Sequence, residues 1–324
     1  PLNVSRSALQ NDGFVKKISD YITKKVADKL SGMYKVDREN YEKYWDDISP
    51  FIKFGCLKDQ KFQEKMKDFI IFKNLDDKYI TLPEYVENIK GKEDSEEPEV
   101  VDAEDVAKEE AGEETAGKEE EPTTVYYVTD IQQQSQYINL FKEQGMDALI
   151  LAHTIDQPFI TQLEQSEDVK VHFRRIDSDI SDSMKEEGDE ETLKKQTETL
   201  SDVFKKALGK DQLEVQVQNL KNENISSMIT LSEETRRMQD MMKMYSAGGM
   251  GMDTSMFGGG ETLILNANNA LVKYILDNTE GEHVDMFCKQ LYDLAMLANK
   301  PLSAEEMTQF VARSNEIMLL LTQE

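Results

Sequence analysis

The sequence has little cysteine and little histidine, and each scarcity excludes a class of protein. Among 324 residues there are two cysteines, Cys56 and Cys288, which lie far apart and do not suggest the disulfide framework of a small secreted domain. The three histidines, His153, His172 and His283, have no metal-ligand spacing with one another or with the cysteines. We interpret each histidine as a surface or packing residue, and we predict no metal site.

Long apolar runs and nucleotide-binding motifs are also missing. No run of about eighteen apolar residues occurs, so no membrane-spanning helix is predicted. Neither a P-loop nor a Rossmann glycine fingerprint is present. The 64 acidic residues outnumber the 38 basic ones, and a formal net charge of −26 disfavours nucleic acid and anionic membranes as partners. With no visible signal peptide, the sequence predicts a protein of the reducing cytosol.

Much of the negative charge is concentrated in residues 91–122. This stretch holds 15 acidic residues and three lysines, hence a net charge of −12, and it has no aromatic residue. Such a composition cannot bury enough apolar surface to offset the entropy of ordering the chain. We therefore expect residues 91–122 to be a disordered insert between two ordered parts.

The part before the acidic stretch has a helical pattern. Apolar residues recur at helical spacing over residues 13–35. A second helix, predicted to begin near Asp37 and to be interrupted at Pro50, would turn inward the residues Tyr41, Tyr44, Trp45 and Ile48. Thr81 and Glu84 have the spacing of a capping box, which predicts another helix start.

After the acidic stretch the chain alternates between strand and helix patterns, which predicts an α/β (α+β) fold. The strands "TVYYVTD", "DALILA" and "VKVHFRRI" are separated by helical segments, so parallel pairing in a three-layer αβα arrangement is expected. Residues 177–199 are interpreted as including a linker, and a short helix is predicted over residues 200–208. "LEVQVQNL" and "ISSMITL" are predicted to pair as an antiparallel hairpin, and "LILNANNALVKYIL" is predicted to form a strand, a turn and a helix.

Methionine is concentrated in one segment, because seven of the sixteen methionines lie between Met238 and Met256. A helix beginning near Ser232 would align its side chains in one stripe that includes Met238, Met241, Met242 and Tyr245. Flexible, polarizable methionines suit a surface that accepts many apolar shapes. The alternative is a stripe packed on the core of its own domain. The glycine-rich segment that follows favours the contact surface.

The sequence closes with two predicted helices, one from about residue 283 to 299 and one from residue 304 to the end. Ser303 and Glu306 form a second capping box. The first helix has an apolar face that includes Phe287, Leu291, Leu294, Ala295 and Ala298. The apolar face of the second helix includes Met307, Phe310, Val311, Ser314, Ile317, Met318 and Leu321. A helical hairpin leaves apolar surface uncovered, and two hairpins paired about a two-fold axis make a four-helix bundle. The alternative is that both faces pack on the preceding αβ unit.

The opening segment "PLNVSRSALQ" places a cation where a helix disfavours one. Ser5 is predicted to cap a helix, and Arg6 would then sit at the positive end of the helix dipole. Arg6 is either a surface residue or a residue that serves a group outside the helix.

The order of several segments resembles the ninety-kilodalton heat-shock chaperone family in its bacterial form, the high-temperature protein G (HtpG) type. The segments are "PLNVSRSALQ", "RENYEKYWDDISPFIKFG", "YITLPEYVENIK", "VYYVTD", "GMDALILAHTIDQPFITQLE" and "LILNANNALVKYIL". The resemblance implies a remainder of the middle domain at residues 1–180 and a client-contact and dimerisation domain at 181–324. Within the first, it implies a catalytic loop at 1–10, a helical part at 13–90, the acidic insert at 91–122 and an αβα part at 123–180.

The resemblance also implies a function. The parent protein would be an ATP-driven stress-response chaperone of the bacterial cytoplasm that binds unfolded or partly folded clients and forms a homodimer. Arg6, with Asn3 and Gln10, would reach the γ-phosphate of ATP and magnesium held by a separate N-terminal domain, so this chain alone would not hydrolyse ATP. Met238, Met241, Met242, Met244 and Tyr245 would contact clients. The dimer interface would include Phe287, Leu291, Leu294, Phe310, Ile317, Met318 and Leu321. The residues themselves also allow an acidic protein-interaction scaffold with no link to ATP.

Overall fold

A computed structural model describes residues 13–96, 122–166, 170–178, 184–186, 188–232, 260–320 and 322. The predicted catalytic loop, most of the acidic stretch and the methionine-rich segment lie outside these residues. The chain divides into two compact units, one of Pro1–Val125 with His153–Phe173 and one of Tyr126–Ala152 with Arg174–Glu324. Both contain helices and strands, which confirms the predicted α/β class.

The elements follow the chain in this order. The helices of the described residues are α1 (Gly13–Val36), α2 (Arg38–Lys58), α3 (Gln60–Met66), α4 (Leu82–Glu96), α5 (Ser135–Glu143), α6 (Asp156–Glu164), α7 (Glu190–Leu208), α8 (Ala270–Asp277), α9 (Val284–Leu297) and α10 (Ala304–Leu320). Their strands are β1 (Ile71–Asn74), β2 (Tyr79–Thr81), β3 (Thr123–Val128), β4 (Leu149–Ile150), β5 (Val171–Arg175), β6 (Glu214–Gln218), β7 (Ser227–Leu231) and β8 (Glu261–Asn266).

In the first unit, α2 continues through Pro50, so the predicted interruption there is wrong. Proline removes one backbone hydrogen bond from a helix. Burial of Trp45 before it and of Ile52 and Cys56 after it holds both halves on the same core. Packing of a buried face commonly outweighs a local preference of a few kcal/mol.

The buried face of α2 is narrower than predicted. Tyr41 and Trp45 are buried, but Tyr44 is 48% exposed and does not point inward. Tyr44 lies three residues after Tyr41, on the side of the helix that faces solvent. The apolar stripe of α1 is divided in a similar way, because only Ala27 and Leu30 are buried along that helix.

A capping box begins α4, as predicted. The Thr81 N–H donates to the Glu84 carboxylate at 2.9 Å, and the Glu84 N–H donates to the Thr81 hydroxyl at 3.4 Å. Arg38 of α2 also donates to Glu84, at 3.4 Å. Partial burial opposes ionisation of Glu84, but the hydrogen bonds from Thr81 and Arg38 outweigh it and lower its pKa. The box therefore links α4 to α2.

In the second unit, β3 and β4 pair in parallel, as the alternating pattern predicted, with Tyr127 opposite Leu149. Between them α5 is followed by Gly145 at φ 67°, a left-handed conformation that favours glycine. The Tyr137 hydroxyl on α5 donates to the Ile229 carbonyl on β7 at 2.6 Å. This bond joins segments on both sides of residue 180, and the domain boundary there stays a prediction.

The second sheet of this unit has the strand order β6-β8-β7, so the predicted β6–β7 hairpin is wrong. Strand β8 lies between the two, parallel to β6 and antiparallel to β7. The connection from β6 to β7 is bound instead by the buried side chain of Asn266 on β8. Its amide oxygen accepts from the Leu220 N–H at 3.0 Å, and its amide nitrogen donates to the Ile225 carbonyl at 2.8 Å.

Helix α7 is longer than predicted, because it begins at Glu190 within the segment interpreted as a linker. The carboxylate of Asp189 accepts from the Thr192 N–H at 3.0 Å and caps the helix. Acidic residues in the first turn then favour the helix dipole. Gly209, at φ 63°, follows its last turn in the left-handed conformation that favours glycine.

Within the residues that the structure describes, no helix is both long and apolar enough to cross a bilayer.

Candidate functional site

The closing helical hairpin of the second unit is the surface with the clearest functional pattern. One face of α9 packs into the core of its own unit through Val284, Cys288, Leu291, Tyr292, Ala295 and Met296. These residues recur at spacings of three and four, which places them on one side of the helix. This buried face therefore fixes helix α9 to the core of the second unit.

Helix α10 is more exposed than α9, because none of its residues from Ala304 to Leu320 is buried. Its apolar residues include Met307 at 38% exposure, Val311 at 50% and Met318 at 57%. Phe310 and Ile317 are half-buried on the same side of the helix. We call the residues Met307, Phe310, Val311, Ile317 and Met318 the α10 stripe.

The start of α10 is defined by its predicted capping box. The Ser303 N–H donates to the Glu306 carboxylate at 2.8 Å, and the Glu306 N–H donates to the Ser303 hydroxyl at 3.3 Å. Hydrogen bonds from the backbone and side chain of Ser303 lower the pKa of Glu306. The two reciprocal bonds satisfy N–H groups that a helix start leaves free.

Polar side chains join α10 to α9. Arg313 donates to the Asp293 carboxylate, and its Nε–H donates to the Gln290 amide oxygen at 2.9 Å. The Gln290 amide nitrogen donates to the Ser314 hydroxyl at 3.0 Å, and that hydroxyl donates to the Phe310 carbonyl at 2.8 Å. We call Gln290, Asp293, Arg313 and Ser314 the interhelix polar cluster.

The predicted interface residues that the structure describes fall into three groups. Leu291 is 2% exposed within its own core, so burial against a partner offers it little further gain. Phe287 is half-buried against the same core. Leu294 is 43% exposed and remains available, as do Phe310, Ile317 and Met318 on the α10 stripe. Leu321 lies outside the described residues. Ser314, placed on the apolar face from sequence, belongs to the interhelix polar cluster.

The two other predicted sites lie outside the described residues. They are the loop residues Asn3, Arg6 and Gln10 and the client-contact residues Met238, Met241, Met242, Met244 and Tyr245. Their roles stay predictions from sequence.

The first unit contains a buried ion pair that the sequence reasoning missed. The Lys53 ammonium on α2 lies 2.5 Å from a carboxylate oxygen of Asp156, the first residue of α6. The side chains are 5% and 2% exposed. The second carboxylate oxygen accepts from the His153 N–H at 2.9 Å. Helical spacing from the buried Trp45 and Ser49 could have located Lys53 on the buried face, but its partner is 103 residues away.

The two cysteines are buried in different units. Burial raises the pKa of Cys56, and also that of Cys288, to about 12. Both thiols are therefore protonated at neutral pH and are poor nucleophiles. Among the described residues, no group of three or more His, Cys, Asp or Glu side chains has the geometry to hold a metal ion.

Comparison with known proteins gives consistent relatives. A family model described as Hsp90 protein matches residues 1–96 and 114–323, on both sides of a gap within the acidic stretch. The chain is 34% identical over 289 residues to the chaperone protein HtpG of Bacteroides thetaiotaomicron, which covers 87% of this chain and 38% of that protein. It is 32% identical over 294 residues to the HtpG of Porphyromonas gingivalis, covering 88% and 38%.

A more distant relative extends the match over nearly the whole chain. The HtpG of Helicobacter acinonychis is 27% identical over 327 residues, covering 98% of this chain and 46% of that protein. The chain thus spans less than half the length of these relatives.

Proposed function

The chain belongs to the Hsp90 family, and on that premise we propose that it is the client-contacting and self-associating part of an ATP-driven bacterial chaperone of the HtpG type. The proposal includes a homodimer formed through the closing helices, client contact through the methionine-rich segment, and assistance to ATP hydrolysis by the opening loop. It places the protein in the bacterial cytoplasm.

The observation that carries the proposal is the α10 stripe. Among the described residues, α10 buries none of its side chains, although five apolar residues share one side of it. A helix whose apolar side is only partly covered by the described residues fits a partner of the same kind. A second copy of the hairpin offers the same side, and a two-fold axis uses each residue twice. Sedimentation equilibrium at micromolar concentration tests this, and a monomer would contradict it.

Client contact is supported by the composition of the methionine-rich segment, and the first prediction concerns it. Changing Met241, Met244 and Tyr245 together to Ser should weaken binding of an unfolded protein about tenfold or more, because three apolar contacts are lost. The melting temperature should change little. Met296→Ser is the matched control. Met296 is 4% exposed in the core, so this change should lower stability and leave client affinity intact.

The opposite pattern of stability and client binding would contradict the client-contact role. If the triple variant melts far below the parent chain while binding clients equally well, these three side chains belong to a core.

The second prediction concerns Arg6 in the full-length protein. A guanidinium stabilises charge that develops on a transferring phosphoryl group, so Arg6→Ala should reduce ATP turnover about tenfold or more with nucleotide affinity little changed. Arg6→Lys keeps the charge but loses the planar fork, and should recover turnover only in part. The 324-residue chain should show no turnover by itself.

The same measurement separates the proposal from its alternative, an acidic interaction scaffold with no link to ATP. The scaffold requires that turnover in the full-length protein be absent or indifferent to Arg6. The net charge of −26 alone suits either function.

A further inference from the structure

The interhelix polar cluster is unusual because it joins two helices at the place where apolar packing is sparse. Helix α9 packs its buried face on its own core, and α10 buries no residue within the described chain. The cluster nevertheless reaches across the hairpin with three hydrogen-bonded contacts, between Arg313 and Asp293, Arg313 and Gln290, and Gln290 and Ser314.

The charged members of the cluster are partly removed from solvent. The side chains of Arg313 and Asp293 are 11% and 15% exposed. An ion pair that is partly desolvated, and whose guanidinium also donates to a neutral amide, depends strongly on its geometry. It therefore favours one angle and one register between α9 and α10 over neighbouring ones.

The cluster also borders the α10 stripe. Arg313 lies between Phe310 and Ile317 along the helix, and Ser314 is bonded to the Phe310 carbonyl. A change in the rotation of α10 about its axis would move the stripe and the cluster together. The position of the cluster against α9 thus determines which side of α10 the unit presents.

We propose that the interhelix polar cluster is the specificity determinant of self-association: it holds α10 on α9 in the one rotation that a second copy of this hairpin can match. This inference rests on the proposed function, because it concerns the same dimer. The cluster acts through positioning. It prearranges the α10 stripe before the second copy binds, which lowers the entropy lost on association.

Charge exchange across the cluster tests the proposal in the whole chain. Asp293→Arg and Arg313→Asp alone each place like charges together, and each should weaken the dimer at least tenfold in sedimentation equilibrium. The double variant Asp293→Arg/Arg313→Asp restores an opposite pair and should return to within about threefold of the parent. Glu316→Arg is the matched control, because Glu316 is an exposed residue of α10 and the change in charge equals that of Asp293→Arg.

Each outcome supports or contradicts either the proposed function or this inference. A parent chain that is monomeric contradicts the proposed function itself. A dimeric parent whose two single variants dimerise as tightly as Glu316→Arg overturns the inference alone. If a single variant loses the cooperative thermal unfolding of the parent, it is not folded, and the dimerisation of the double variant then tests the inference. A folded double variant that stays as weak a dimer as the singles, or weaker, also overturns the inference.

Discussion

Replacing Ile317 with Asp is expected to convert the self-associated chain into monomers at micromolar concentration. Ile317 lies on the α10 stripe and is half-buried in the single chain. In a two-fold bundle each copy contributes one Ile317, so the change removes two apolar side chains. Because each is already half-buried in the single chain, each is worth at most roughly 1.5–3 kcal/mol of burial. It also places two carboxylates in an apolar setting, at a cost of several kcal/mol per ion.

These magnitudes are large against the affinity of a typical dimer. A micromolar dimer is held by about 8 kcal/mol and a nanomolar one by about 12 kcal/mol. Sedimentation equilibrium of the parent and the variant at equal concentrations measures the difference directly. Thermal unfolding of the variant should stay cooperative, because no described residue of α10 belongs to the buried core of its own unit.

The same helix offers a control. Leu319 is 59% exposed and lies about half a turn around the helix from Ile317, so Leu319→Asp makes a similar chemical change on the side of α10 that faces away from Ile317. The control should leave the dimer intact. If Leu319→Asp and Ile317→Asp dissociate the dimer equally, the interface is not specific to the side of α10 that carries Ile317.

Local signals in the sequence predicted local structure well. Both capping boxes, at Thr81 with Glu84 and at Ser303 with Glu306, form as expected. Such contacts join residues three apart, so the residue types nearly determine them. Pairing between distant strands is different. "ISSMITL" pairs with β8, whose paired residues lie 30 or more positions later, and the buried Asn266 of β8 binds the chain between β6 and β7 that was predicted to be a hairpin turn.

At the candidate site, too, the sequence predicted the helices but not the burial of their individual side chains. Periodicity identified an apolar face on each closing helix, but it could not say which residues of α9 face the core of their own unit. Leu291 and Leu294 are three residues apart in one predicted face, yet the first is 2% exposed and the second 43%. The interhelix polar cluster was also invisible, because Asp293 and Arg313 are 20 residues apart and each resembles an ordinary surface charge in sequence.

The second large effect is expected at the buried ion pair of the first unit. Asp156→Asn keeps the shape of the side chain and an acceptor for the His153 N–H, but it removes the negative charge beside Lys53. The ammonium of Lys53 is buried and lies over the ring of Phe72, 5.1 Å from its centroid; this cation–π contact attracts the cation but does not neutralise its charge. Breaking a buried pair from one side leaves an uncompensated charge, and typically costs about 3–5 kcal/mol.

The single tryptophan of the chain makes this measurable for the first unit alone. Trp45 is buried on α2, the helix that carries Lys53, and its fluorescence reports urea unfolding of that unit. With a urea dependence of about 1–3 kcal/mol per molar, a loss of about 3 kcal/mol lowers the midpoint by about 1–3 M. Adding Lys53→Met should recover part of the loss, because the unpaired charge is then gone and the stem is replaced by an apolar chain of similar length.

An exposed pair in the same unit provides the comparison. Lys78 and Asp76 approach to 3.7 Å with side chains 76% and 64% exposed, so Asp76→Asn makes the identical chemical change in solvent. Exposed pairs contribute about 0–1 kcal/mol, and Asp76→Asn should move the Trp45 midpoint little. Equal shifts from Asp156→Asn and Asp76→Asn would mean that burial of the Lys53–Asp156 pair adds nothing to its energetic importance. A large shift confined to Asp156→Asn, partly reversed by Lys53→Met, is the result that an uncompensated buried ammonium requires.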